Sequence, residues 1–244
     1  MYWKRYGRHS LPWRQTTDPY AILVSEVMLQ QTQVDRVVPY FTRWMEAFPT
    51  PAELAKAPLT DVLALWSGLG YNRRAKFLHE AAKCIVARHE GVVPSAYEEL
   101  RALPGVGEYT AKAVRVFAFD EPEVLIETNV RSVFIHHFFP RARSVYDARL
   151  LPLIAAALDA RHPREWYAAL MDYGTFLKAT TSNPSRKSRH HTKQSSFAGS
   201  LREVRGAILR ARVGKVDLEK VRTAYPTRFD DAYGALVREG LIDA

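Results

Sequence analysis

The chain has 244 residues, 47% hydrophobic and 25% charged, which suits one large domain or two small ones with a core of their own. Lys and Arg number 35 against 26 Asp and Glu, and the resulting charge of +9 favours a polyanionic partner, nucleic acid before a membrane surface. The single cysteine, Cys84, excludes an internal disulfide and a cluster held by four thiolates, and it reads as a small buried hydrophobe. No signal peptide is visible and no apolar run reaches the ~18 residues of a membrane span, so the sequence predicts a cytoplasmic, nucleoid-associated protein.

Helix signals follow one another along the chain. Asp18-Pro19 supplies a cap and a first-turn proline for a helix over 20–31. Val34, Val37, Val38, Phe41, Met45 and Phe48 recur at helical spacing and predict a helix over 34–48. Pro51 and Pro58 open two short helices, the second running through Val62, Leu63 and Leu65. Ser67-Gly68-Leu69-Gly70 is a turn, followed by a long amphipathic helix over 73–89. Ser95 to Glu98 fits a capping box for the helix that Pro104 ends.

In Leu103-Pro104-Gly105-Val106-Gly107 the glycines permit a sharp turn and close approach of a partner. A helix then begins at Glu108, so the N–H groups of the turn and of the helix start form an anion site shaped for phosphate. A lone acid, Glu127, stands twenty residues beyond Gly107. Thr128 is placed to cap a helix over 131–139, and further helices are predicted over 150–160 and 164–178. The polar, basic stretch 180–196 reads as an exposed linker. Three short helical patterns close the chain over 201–211, 218–225 and 229–239. They read either as a small helix-turn-helix or winged-helix unit or as a helical clamp packed on the main body. Strand alternation is absent, so the fold class is all-α.

From about Tyr2 to Gly174 the chain resembles the helix-hairpin-helix DNA glycosylases, specifically the adenine glycosylases of the MutY group. The blocks that carry this are Leu11 to Arg14, Asp18 to Tyr20, Ser25 to Val34, Leu65 to Tyr71, the hairpin Leu103 to Gly107, and Ala169 to Gly174. The resemblance implies two helical subdomains flanking a DNA-binding cleft: 19–130 with the hairpin, and 1–18 together with 131–180. A basic loop over 181–196 and a small C-terminal helical unit over 197–244 complete the division. The implied partner is double-stranded DNA with a mismatched or damaged base, bound by a monomer with no membrane association.

The implied chemistry is base excision by a monofunctional glycosylase, most simply of adenine opposite guanine or oxidised guanine. Releasing a purine needs one carboxyl to protonate the base and another to stabilise positive charge on the sugar. Glu26 aligns with the family's proton donor. Glu127 aligns with its aspartate, and is longer by one methylene, roughly 1.5 Å. Read alone, Glu26 is an N-terminal-turn glutamate and Glu127 a helix cap. Tyr109 stands where bifunctional relatives carry a Schiff-base lysine, so no lyase step is expected. It also resembles the thymine- and uracil-removing relatives, which supplies one alternative; a non-catalytic mismatch binder is the other.

Gln31 and Tyr71, with Leu29 beside them, match positions that wedge into the base stack, and Trp13 and Arg14 match the base pocket. Ala168 stands where the family has a Glu or Gln. Leu103, Gly105, Val106 and Gly107 are expected at the DNA backbone. Lys178 takes the place of the first cluster cysteine, so no iron–sulfur cluster is expected. Arg186, Lys187, Arg189 and Lys193 would hold phosphates directly, with His190 and His191 solvated or phosphate-facing rather than zinc ligands. The hairpin leaves room for a monovalent cation.

Overall fold

The computed structural model describes residues 2–191, 196–214 and 216–243; Lys193 lies outside them. The helices are α1 (Tyr2–Tyr6), α2 (Pro19–Leu29), α3 (Val34–Ala47), α4 (Pro51–Lys56), α5 (Leu59–Trp66), α6 (Arg73–Arg88) and α7 (Tyr97–Ala102). They continue as α8 (Glu108–Phe119), α9 (Thr128–Phe138), α10 (Asp147–Ala157), α11 (Pro163–Thr180), α12 (Leu201–Arg212), α13 (Leu218–Ala224) and α14 (Phe229–Arg238). Two 3-10 turns, Pro12–Arg14 and Pro184–Lys187, and one isolated bridge between Val145 and Ser188 complete the regular structure of the described residues. The fold is all-α, and no described helix is long and apolar enough to cross a membrane.

Local chemistry explains the helix starts. Asp18 caps α2, its two carboxylate oxygens accepting from Tyr20 N–H at 3.2 Å and Ala21 N–H at 3.1 Å. Every residue from Tyr20 to Met28 is buried, so α2 is enclosed on all sides, as its run of apolar residues demands. Thr50 caps α4 through Glu53 N–H at 3.3 Å. The buried stripe of α3 is Val37, Phe41 and Trp44, so it is centred one position away from the face marked by Val38 and Met45. Cys84 is half-buried rather than enclosed.

Contacts divide the chain into two units. The first comprises residues 1–22, 95–101 and 106–193, the second 23–94, 102–105 and 194–244. The first has an apolar cluster that includes Val116 of α8, Val130 and Phe134 of α9, Ile154 of α10 and Tyr167 of α11. That cluster places 106–130 with the residues that follow, whereas the sequence groups them with 19–94. Tyr167 ties in the strandless segment before α9: its hydroxyl donates to the Glu123 carbonyl at 2.9 Å and accepts from Leu125 N–H at 2.7 Å. Burial pushes this phenol up to about 12, so it stays a donor.

The expectation of an exposed linker over 180–196 is corrected at Pro184, Ser185 and Ser188, which are buried, while Thr180 to Ser182 and Arg189 to His191 are exposed. Val145 N–H donates to Lys187 O at 2.8 Å while Arg189 N–H donates to Val145 O at 3.0 Å. The stretch is short of apolar side chains because its backbone, not its side chains, makes the attachment. In the second unit, Trp44 and Trp66 meet edge to face at 5.5 Å in the core around α3 to α6. Helices α12 to α14 share a small core of Val204, Ile208, Val221, Phe229 and Leu236. They rest on α6, where Lys76 donates to the Glu239 carbonyl at 2.6 Å.

Candidate functional site

Glu127 is the N-cap of α9, which is its reading apart from the resemblance, and Thr128 is the first residue of the helix. Its carboxylate accepts from Asn129 N–H at 2.7 Å, Val130 N–H at 2.9 Å and Asn129 Nδ2 at 3.0 Å. The Thr175 hydroxyl of α11 shares its one proton between the Met171 carbonyl at 2.8 Å and Asn129 Oδ1 at 3.2 Å, beside the amide that faces Glu127. Gly174 makes this approach possible: a Cβ there would lie 2.4 Å from the Asn129 carbonyl oxygen. Burial pushes the Glu127 carboxyl above the usual carboxylate range, against the pull of the two amides and of the Lys178 and Arg131 charges. Lys178 shows the reciprocal effect. Burial lowers its ammonium below the usual range while Glu127 supports it.

Elsewhere in the same unit, Arg14 forks onto Asp172, with Nη1 to Oδ2 at 2.6 Å and Nη2 to Oδ1 at 2.9 Å. Arg8 adds its backbone N–H at 2.8 Å and Nε at 2.6 Å. Burial pushes Asp172 up, but these hydrogen bonds outweigh it and hold the carboxyl below its ordinary value. The guanidinium of Arg14 is therefore committed to a buried ion pair and to the face of Trp3, 5.0 Å away. Trp13 is buried, and Tyr109 is half-buried against the apolar cluster. Ala168 is buried, and its carbonyl accepts from Arg14 Nη2 at 3.4 Å.

In the second unit Glu26 is buried, 8% exposed, in the last turn of α2, not in a first turn as its local sequence suggests. Leu29 ends that helix, half-buried, and Gln31 follows exposed in the left-handed region with φ 54°. Tyr71 adopts the same region with φ 50°. A backbone conformation this uncommon for non-glycine residues persists only where the surroundings enforce it. The enforcing residue is Arg74. Its guanidinium donates to the carbonyls of Val27 (2.9 Å), Met28 (2.9 Å), Gln30 (2.6 Å) and Gly70 (3.0 Å), and to Thr32 Oγ1 (3.1 Å). One buried cation thus holds both loops that carry the wedge candidates. Burial lowers it to about 10, so it remains charged at neutral pH.

The hairpin behaves as its glycines suggest, with one refinement. Gly105 has φ 75°, and a Cβ there would meet Phe77 Cβ at 2.5 Å. Gly107 has an ordinary φ of −83° with nothing within 4 Å of a built Cβ, so its value is the open space it leaves at the α8 start. No side chain caps α8. Leu103 and Val106 are buried anchors of the turn. The Val106 carbonyl already accepts from Arg101 at 3.3 Å, which brings a positive charge to the turn where a monovalent cation would sit. Beyond α11, Arg186 and Arg189 are exposed, Lys187 is tied to the Pro140 carbonyl at 2.7 Å, and His190 lies 3.8 Å from Asp147.

A four-iron cluster does not fit these residues. Its four thiolate ligands face a chain with one cysteine, Cys84, which lies in α6, and no metal-binding group of three His, Cys, Asp or Glu exists among the described residues. The place after α11 is filled instead by the buried turn at Pro184 and Ser185. Three residues in this account lack a signal in the sequence. Arg74 is one arginine among several in its helix, Asp172 sits inside a recognised block without a role, and only its spacing from Glu127 marks Asn129.

The chain belongs to the HhH-GPD superfamily of base excision DNA repair proteins, whose family profile matches residues 24–151. It is 36% identical over 265 residues to the adenine DNA glycosylase of Mycolicibacterium smegmatis, covering 99% of this chain and 90% of that protein. It is 46% identical over 234 residues to the adenine DNA glycosylase of Mycobacterium tuberculosis, covering 85% and 75%. Against the rat adenine DNA glycosylase it is 36% identical over 235 residues, 89% of this chain but 44% of the relative. Among solved structures, a thermostable thymine-DNA glycosylase superposes with TM-score 0.64 at 25% identity, covering 76% of this chain and 87% of that one. Endonuclease III in a non-covalent DNA complex gives 0.52 at 22% identity, over 73% and 77%, and shares the fold.

Proposed function

We propose that this DNA N-glycosylase removes adenine mispaired with guanine or oxidised guanine in duplex DNA, in the nucleoid of the cytoplasm, as a monofunctional enzyme without an iron–sulfur cluster. The observation that carries the chemistry is the contrast between two carboxyls. Glu26 is 8% exposed in the last turn of α2, flanked by Val27, Met28 and Leu29, and it lies in the Ser25 to Val34 block that aligns it with the family's proton donor. It protonates the departing adenine. Glu127 accepts three hydrogen bonds at a helix N-terminus, with Lys178 and Arg131 adding positive charge. Those donors and charges pull toward the ionised form against the burial that raises the carboxyl, and it is this ionised form that stabilises the sugar as positive charge develops.

Gln31 and Tyr71, with Leu29 behind them, hold the opened base stack. The α8 start and Arg186, Arg189 and Lys193 meet phosphates. Trp13 and Arg14 shape the base pocket, Arg14 through its fixed pairing with Asp172. Tyr109 has no amine, so the sugar is not captured as a Schiff base and the product is an abasic site in an unbroken strand. The likeness to a protein named adenine DNA glycosylase over 99% of this chain and 90% of that relative supports adenine as the base.

The test is incubation with duplexes carrying A:G, A:oxidised-G, T:G and U:G pairs, followed by alkali cleavage at abasic sites. Adenine release, with strand breaks only after alkali, is expected. Release of thymine or uracil but never adenine would reverse the assignment, and binding without release of any base would make the chain a mismatch binder.

A further inference from the structure

Helices α12 to α14 have no part in the chemistry described so far, yet they reach a residue that does. Arg202 Nη1 donates to the Tyr71 hydroxyl at 3.0 Å, and its guanidinium carbon lies 5.6 Å from the centre of the Tyr71 ring. One turn along the same face of α12, Arg205 pairs with the Glu239 carboxylate, its Nη1 to Oε1 at 2.8 Å. Glu239 is in turn attached to α6 through its carbonyl, which accepts from Lys76, and it stands 3.9 Å from Arg73. The hydrogen bonds of Arg205 lower the Glu239 carboxyl below its usual range, so the pair is fully charged at neutral pH. Helix α12 is thereby fixed on the first turns of α6, immediately after Tyr71.

Beside the Tyr71 ring lies a cavity of about 820 Å³, lined by Tyr71, Ser200, Arg202, Thr227, Arg228 and Asp231. The Arg202 guanidinium lines this open groove and bonds the Tyr71 hydroxyl at its edge. We propose that Arg202 is a positioning residue, through which the C-terminal helices hold Tyr71 in the orientation that enters the base stack. Tyr71 is held by both arginines: Arg74 reaches its carbonyl at 3.4 Å and lies 5.5 Å from its ring centre, and Arg202 alone of the two ties its hydroxyl. The inference rests on the reading of Tyr71 as a wedge, and it gives the C-terminal unit a role in opening the duplex.

The experiment uses the full chain on a duplex with an A:G pair and a neighbouring 2-aminopurine, whose fluorescence rises when it unstacks. Excision is followed in single turnover, and thermal melting checks that each variant folds. Loss of a charge-assisted hydrogen bond should make Arg202→Ala about tenfold slower in excision, with a matching loss of the fluorescence rise. Tyr71→Phe, which removes only the acceptor oxygen, should fall by a similar factor, and Arg202→Ala/Tyr71→Phe should be no worse than either single variant. Arg202→Lys should recover part of the fluorescence rise. If Arg202→Ala does not fold, Tyr71→Phe alone decides, and full activity for it overturns the proposal. Wild-type excision and unstacking in Arg202→Ala, with Tyr71→Ala impaired, would overturn the positioning role and leave the wedge. An unimpaired Tyr71→Ala would overturn both.

Discussion

At the scale of single residues, the carboxylate of Glu127 caps α9 and is the group assigned to the sugar, and these roles reinforce each other. The amides of Asn129 and Val130 and the Asn129 side chain fix its two oxygens, so the longer side chain is folded back onto its own helix rather than left to rotate. Its raised pKa gives a signed expectation. A carboxyl whose folded pKa exceeds its unfolded value binds more protons in the native state, so its contribution to stability falls as pH rises through that window. Above its raised folded value the wild type bears the cost of a buried charge that Glu127→Gln lacks. Melting temperatures from about pH 5 to about pH 8 should therefore show the difference, variant minus wild type, growing more positive with pH. A constant difference would mean that the donors around Glu127 cancel its desolvation. In wild type the excision rate should drop as pH falls through the same raised value, because the ionised form is lost.

At the scale of elements, the loops after α2 and before α6 are ordered from a single point. Arg74 provides the end of α2 with donors for carbonyls that have no partner within the helix. A guanidinium fork reaches several acceptors at once, whereas an ammonium is a compact point donor. Arg74→Lys should thus lower stability by about 2 kcal/mol and also slow excision, since Gln31 and Tyr71 lose their enforced backbone. Denaturant unfolding alongside single-turnover excision measures both, and a variant with normal stability and rate would remove Arg74 from this role. The start of α2 was readable from sequence because Asp18 and Pro19 act on neighbouring amides. The function of Arg74 was not, because its partners are mostly backbone carbonyls, which leave no mark in residue types. The buried attachment of 184–188 was hidden for the same reason: its partner, Val145, lies far away along the chain and pairs through its main chain.

At the scale of the whole molecule, the family and the hairpin turn were legible because contiguous blocks carry them. The roles of α12 to α14 and the grouping of 106–130 were not, since both depend on packing between distant segments. The account's central claim is that two carboxyls in different settings divide the excision. Single-turnover excision on an A:G duplex by wild type, Glu26→Gln and Glu127→Gln tests it most directly, with DNA affinity measured in parallel. Glu26→Gln should lose about 10²–10⁴-fold as a missing general acid, and Glu127→Gln about 10²–10³-fold as a missing electrostatic partner, both still binding the duplex. Excision at the wild-type rate by either variant would contradict the account.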